Sequence, residues 1–135
     1  MCGILIVDDD ASIRFAMADY FAAKGLRAES VASREEVEAR LADGHYAIVI
    51  TDLCLTPYDN VEGLEIVRLV AERHSPIVCI VLTAYGSPDS EATARRYGAH
   101  AFLQKPRPMS ELLELVARLL PAGNSCPAPD ESRQP

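Results

Sequence analysis

The sequence predicts an α/β fold, a doubly wound parallel sheet of five strands flanked by five helices. Three observations predict it. ILIV at 4–7, AIVI at 47–50 and IVCIVL at 77–82 are short, continuous apolar runs rich in β-branched residues. That is the pattern of strands covered on both faces, hence of a parallel sheet. Segments with apolar residues three and four apart lie between these runs, so strand and helix alternate. The chain's 135 residues fit one domain, large enough to bury a core.

ILIV, the first strand, runs straight into Asp8, Asp9 and Asp10. From Ser12 a helix carries Ile13, Ala16, Met17, Tyr20 and Phe21 on one stripe, and Gly25 closes it. LRAESV at 26–31 is a weaker second strand. Ser33 and Glu36 read as a capping box for a helix carrying Val37 and Leu41 that stops near Gly44. AIVI leads into Thr51 and Asp52, and Leu64, Val67, Val70 and Ala71 mark a third helix. IVCIVL ends at Thr83. Ser87 and Pro88 supply an N-cap and first helical residue, and Gly98 ends that fourth helix. HAFLQ at 100–104 is a weaker fifth strand, followed by Lys105 and Pro106. Leu112, Leu113, Val116, Leu119 and Leu120 form the stripe of a fifth helix. The domain is expected over 1–120. The stretch PAGNSCPAPDESRQP at 121–135 is rich in Pro and polar residues, a flexible tail or linker.

Composition narrows the functions. A net charge of −7 without a dense Lys/Arg stripe argues against direct nucleic-acid binding. No apolar run reaches membrane-span length, and no basic segment followed by an apolar one opens the chain. Cys2, Cys54, Cys79 and Cys126 form no CxxC pair and have no zinc-like His spacing. Cys79, inside an apolar run, reads as a buried reduced thiol, which points to a reducing cytoplasm.

Three adjacent acids after a buried strand are costly. Each like-charge pair at 4 Å repels by roughly 1 kcal/mol in water and more near a protein surface. In a doubly wound sheet, ligands bind where the strands end. There this sequence places Asp8 and Asp9, Asp52, Thr83 and Lys105. Three carboxylates, a hydroxyl and an ammonium on one crevice suit a hard divalent cation with oxygen ligands, as Mg²⁺ requires.

IVDDD, TD after the third strand, TA after the fourth and KP after the fifth, in that order, resemble the response-regulator receiver domains of two-component signalling, of the chemotaxis-regulator kind. The resemblance covers roughly residues 3–120. It implies a flavodoxin-like strand order, 2-1-3-4-5. It implies that Asp52 accepts a phosphoryl group from a sensor histidine kinase or phosphotransfer protein. Mg²⁺ is then held by Asp9 and Asp52, by Asp8 through water and by the backbone carbonyl of Cys54. Lys105 and the Thr83 hydroxyl contact the phosphoryl oxygens, and a cis peptide between Lys105 and Pro106 aims the lysine inward. Thr83 and Phe102 form the switch, with a downstream protein target read on the face of helix four, strand five and helix five. Such a module is not a turnover enzyme.

Other readings stand beside these. Asp10 is better placed to cap the first helix than to hold metal. Phe102 is equally a core phenylalanine. His45, His74 and His100 read as loop or surface residues. Pro57 and Gly63 lie five and eleven positions after Asp52, where relatives place them four and eight on. The loop after strand three is thus about three residues longer than usual, and Tyr58 and Asp59 in it are candidates for partner recognition. Cys54 and Tyr85 occupy the positions that tune phosphate lifetime in receivers. Neither is suited to position a water, which implies slow self-dephosphorylation. Two alternatives remain: a pseudo-receiver that binds partners without phosphorylation, and an aspartyl-nucleophile phosphohydrolase. The hydrolase usually needs an Asp where Cys54 stands.

Overall fold

The computed structural model describes residues 3–43, 46–52, 61–72, 77–83, 87–104 and 108–119. Five strands alternate with five helices: β1 (Gly3–Val7), α1 (Ala11–Ala23), β2 (Arg27–Val31), α2 (Arg34–Asp43), β3 (Tyr46–Thr51), α3 (Val61–Ala71), β4 (Val78–Thr83), α4 (Pro88–Tyr97), β5 (Ala101–Gln104) and α5 (Met109–Leu119). The strands form one parallel sheet in the order β2-β1-β3-β4-β5, as expected.

The pleat explains the continuous apolar runs. Leu5 and Val7 of β1, Val49 of β3 and Cys79 and Val81 of β4 face one side, where Val37, Leu41, Ile66, Val67, Val70 and Ala94 of α2, α3 and α4 cover them. Ile4 and Ile6, Ile48 and Ile50, and Ile80 and Leu82 face the other side, against Met17 and Phe21 of α1 and Leu112 and Val116 of α5. Each of these three strands thus needs apolar side chains on both faces. Truncating one of the large ones, such as the fully buried Phe21, to Ala costs about 3–5 kcal/mol.

Several local expectations are corrected. Ala16 and Ala71 are exposed; alanine is small enough to sit on either side of a helix, and the seams run through Met17 and Phe21 and through Ile66, Val67 and Val70. Leu26 is not in β2. It ends a Schellman motif in which its N–H and that of Gly25 donate to the carbonyls of Phe21 and Ala22, each at 3.0 Å. Lys24 is the cap residue, and Gly25 beyond it takes φ +84. The Ser33/Glu36 box is half formed. Glu36 N–H donates to Ser33 Oγ at 3.4 Å, but the Glu36 carboxylate accepts from Ala32 N–H instead, at 2.6 Å. Ile77 and His100 flank β4 and β5 rather than opening them. His100 joins the two strands nonetheless: its N–H donates to the Cys79 carbonyl at 2.8 Å, and its Nδ1 accepts from Cys79 N–H at 3.1 Å.

The fourth helix begins as expected. Ser87 Oγ accepts from Ser90 N–H and Ser90 Oγ from Ser87 N–H, with Pro88 following the cap. Among the described residues no helix is long and apolar enough to cross a membrane. Gly44, His45, Cys54, Pro57, Tyr58, Asp59, His74, Tyr85, Lys105, Pro106, Leu120 and the stretch 121–135 lie outside the described residues.

Candidate functional site

The sheet register brings the acids together. Val7 pairs with Val31 on one side and Thr51 on the other, and the lacing continues one residue further. Asp8 N–H donates to the Val31 carbonyl at 3.2 Å, and Asp52 N–H to the Val7 carbonyl at 3.0 Å. Asp8 and Asp52 therefore leave neighbouring strands at the same level. Thr51 pairs with Val81, which puts Thr83 just beyond that level. Thr83 in turn pairs with Gln104, the residue before Lys105 in the sequence. Asp8, Asp52 and Thr83 are all buried, at 4%, 8% and 0% exposure, and carboxylates such as the first two are rarely buried to this degree.

Asp9 lies at the open rim. Desolvation raises its carboxyl pKa above the ordinary value. The charge of Asp8, a hydrogen bond shared with the Asp8 side chain and the charge of Asp52 push it the same way. Asp9 thus senses the acids of two strands at once. Asp10 has turned away to cap α1. Its Oδ1 accepts from Ser12 N–H at 2.9 Å, Ser12 Oγ at 2.7 Å and Ile13 N–H at 3.4 Å, as the helix-capping reading expects.

Composition and periodicity gave no hint of Arg14. One turn into α1, its guanidinium donates to the backbone carbonyl of Asp8 at 2.8 Å. A side-chain bond to a backbone carbonyl leaves no trace in hydropathy, and only an arginine six residues after the first acid marks it. Phe102 is half-buried. It packs against the core layer of α2, α3 and α4 and also lines a cleft of about 430 Å³ with Arg95, Leu103, Glu114, Leu115 and Arg118.

The donor set fits a hard cation. It offers only oxygen ligands, and Asp9 is held in a repulsive field that an added positive charge relieves. Among the described residues, no group of three or more His, Cys, Asp or Glu side chains is placed to hold a metal ion. Mg²⁺ asks for less, one or two carboxylates with water and phosphate oxygens.

The family model for the response regulator receiver domain matches residues 4–117. The chain belongs to the response-regulator receiver family. Receiver domains are signalling modules of two-component systems. This one is 33% identical over 115 residues to the response regulator protein FleR of Pseudomonas aeruginosa, covering 85% of this chain and 24% of FleR. It is 30% identical over 117 residues to the DNA-binding transcriptional regulator NtrC of Salmonella typhimurium, covering 87% of this chain and 24% of NtrC. The receiver therefore spans about a quarter of the length of these relatives. Among solved structures it resembles a response regulator receiver protein from Pseudomonas putida, with TM-score 0.77 and 28% identity, covering 87% of this chain and 96% of that one.

Proposed function

We propose that this receiver is a phosphorylation switch in which Asp52 accepts a phosphoryl group from a phosphohistidine on a sensor histidine kinase or phosphotransfer protein. One observation carries the reading. Asp8 and Asp52 are buried at the same level of adjacent strands, and Asp9 at the rim is perturbed by both.

An Asp52 carboxylate oxygen forms a bond to phosphorus as the bond from phosphorus to the imidazole nitrogen breaks, and the electron pair returns to the imidazole. Two negative groups must approach each other in this step, so the site has to supply positive charge. Asp8, Asp9, Asp52 and the Cys54 carbonyl would hold Mg²⁺, which supplies charge that offsets the phosphoryl oxygens. Lys105 contributes a further point charge, and the Thr83 hydroxyl donates to a phosphoryl oxygen. The movement of Thr83, with Phe102 turning inward behind it, biases a two-state equilibrium. The readout is a protein contact on the face of α4, β5 and α5, where the cleft beside Phe102 opens, with no direct contact to nucleic acid or membrane. On this reading the domain catalyses only its own phosphorylation and slow dephosphorylation, in the cytoplasm.

Incubation with acetyl phosphate and Mg²⁺, followed by intact-mass measurement, tests the proposal. The expected result is a gain of one phosphoryl that EDTA and Asp52→Asn both abolish. An Asp52→Asn protein that labels as well as the unaltered chain would overturn it. Continuous phosphate release would instead mark a phosphohydrolase, and no reaction a pseudo-receiver.

A further inference from the structure

We infer that Arg14 is a positioning residue for the cation site, acting through the peptide unit that joins Asp8 to Asp9; the inference rests on the cation-dependent reading above. The Asp8 carbonyl and the Asp9 N–H belong to one planar unit. A donor fixed on that carbonyl therefore fixes the direction in which Asp9 departs.

The rest of the turn is already tied. Asp8 N–H donates to the Val31 carbonyl at 3.2 Å, and Asp8 Oδ1 accepts from Asp10 N–H at 2.9 Å. Asp10 is in turn held as the cap of α1. The Arg14 guanidinium at 2.8 Å from the Asp8 carbonyl completes the set, leaving the Asp9 side chain at the rim on a backbone with little freedom. Arg14 is rooted in α1, whose Met17 and Phe21 are buried against the sheet, and its guanidinium also lies over the Phe15 ring, 5.9 Å from the centroid. The donor is thus anchored to the core rather than to the loop it holds. A charge-assisted bond of this kind is among the stronger ones.

Positioning and simple electrostatics predict opposite results. A cation near three carboxylates repels Mg²⁺, so if charge were all that mattered, removing Arg14 would tighten Mg²⁺ binding. If Arg14 holds the turn, removing it weakens binding.

The test is calorimetric titration of the full chain with MgCl₂, without phosphodonor, for the unaltered protein, Arg14→Met and Arg14→Lys. Acetyl phosphate labelling rates are followed against Mg²⁺ in parallel. Arg14→Met is expected to raise the Mg²⁺ dissociation constant roughly five- to twentyfold, with the labelling rate at saturating Mg²⁺ within about twofold of the unaltered chain. Arg14→Lys, which keeps a charged donor, is expected to recover most of the loss. If Arg14→Met fails to fold, Arg14→Gln replaces it with the same expected direction. A neutral variant that binds Mg²⁺ equally or more tightly, or that only melts earlier, overturns the inference alone. An unaltered chain that neither binds Mg²⁺ nor takes up phosphoryl overturns the functional reading with it.

Discussion

Asp8 and Asp9 stand side by side at the end of β1, and desolvation, followed by the charge of Asp8, holds the Asp9 carboxyl above its ordinary value of 3.8. An acid with a raised folded-state pKa favours the fold most when protonated. Its contribution is fully present below the unfolded value and is lost as pH rises through the folded one. At neutral pH the ionised Asp9 therefore works against the fold. Asp9→Asn is expected to raise Tm at pH 7 without Mg²⁺, and the advantage should vanish as pH falls below the ordinary carboxylate value. Calorimetry across that range checks it. A variant less stable than the unaltered chain at pH 7 would contradict the repulsion described here.

Gly98 ends α4 at φ +123, and a Cβ there would come within 2.6 Å of Ala71 Cβ. Gly98→Ala combines backbone strain with a clash and is expected to cost about 2–4 kcal/mol. Gly25, at φ +84 with open space around it, carries only the conformational penalty, so Gly25→Ala should cost about 1–2 kcal/mol. Ala71→Gly removes the clashing methyl. A double-mutant cycle with Gly98→Ala should therefore show a favourable coupling of about 1 kcal/mol in urea melts. Additive effects would locate the cost in φ alone.

Burial pushes the Cys79 thiol up to about 12, far from the thiolate that alkylating reagents attack. Peptide mapping after brief iodoacetamide treatment at pH 8 should find Cys79 unmodified in the native protein and labelled in urea. The raised value also means that the fold loses stability as pH climbs from about 9 towards 12. Cys79→Ser, which puts a hydroxyl among apolar side chains, should cost about 1–3 kcal/mol.

If Asp52 is phosphorylated as proposed, the residues at positions 54 and 85 predict a persistent product. Cys54 and Tyr85 carry no acid or amide to orient an attacking water. The acyl phosphate should outlast minutes in Mg²⁺ buffer by intact mass, and Tyr85→Asn should shorten its life several-fold. Decay within seconds would be incompatible with this view.

Much of the fold was legible because β1, β3 and β4 are covered on both faces, a demand that ILIV, AIVI and IVCIVL state without ambiguity. The edge strands were less so. Residues of β2 and β5 are mostly half-buried, and Leu26 and His100 were misread because their backbone groups close a helix and bridge two strands. Ala16 and Ala71 show that alanine carries almost no information about burial. The acids were legible because strand ends share one edge, whatever the loops do. Arg14 was not, since its partner is a carbonyl that every residue possesses.

Because all five strands point one way, the molecule has two poles with different tasks. The acids occupy one. The Gly98–Ala71 fit and the His100–Cys79 bonds belong to the other, where β4 and β5 begin. Heat tolerance can therefore be engineered at the distant end, leaving the acids as they are.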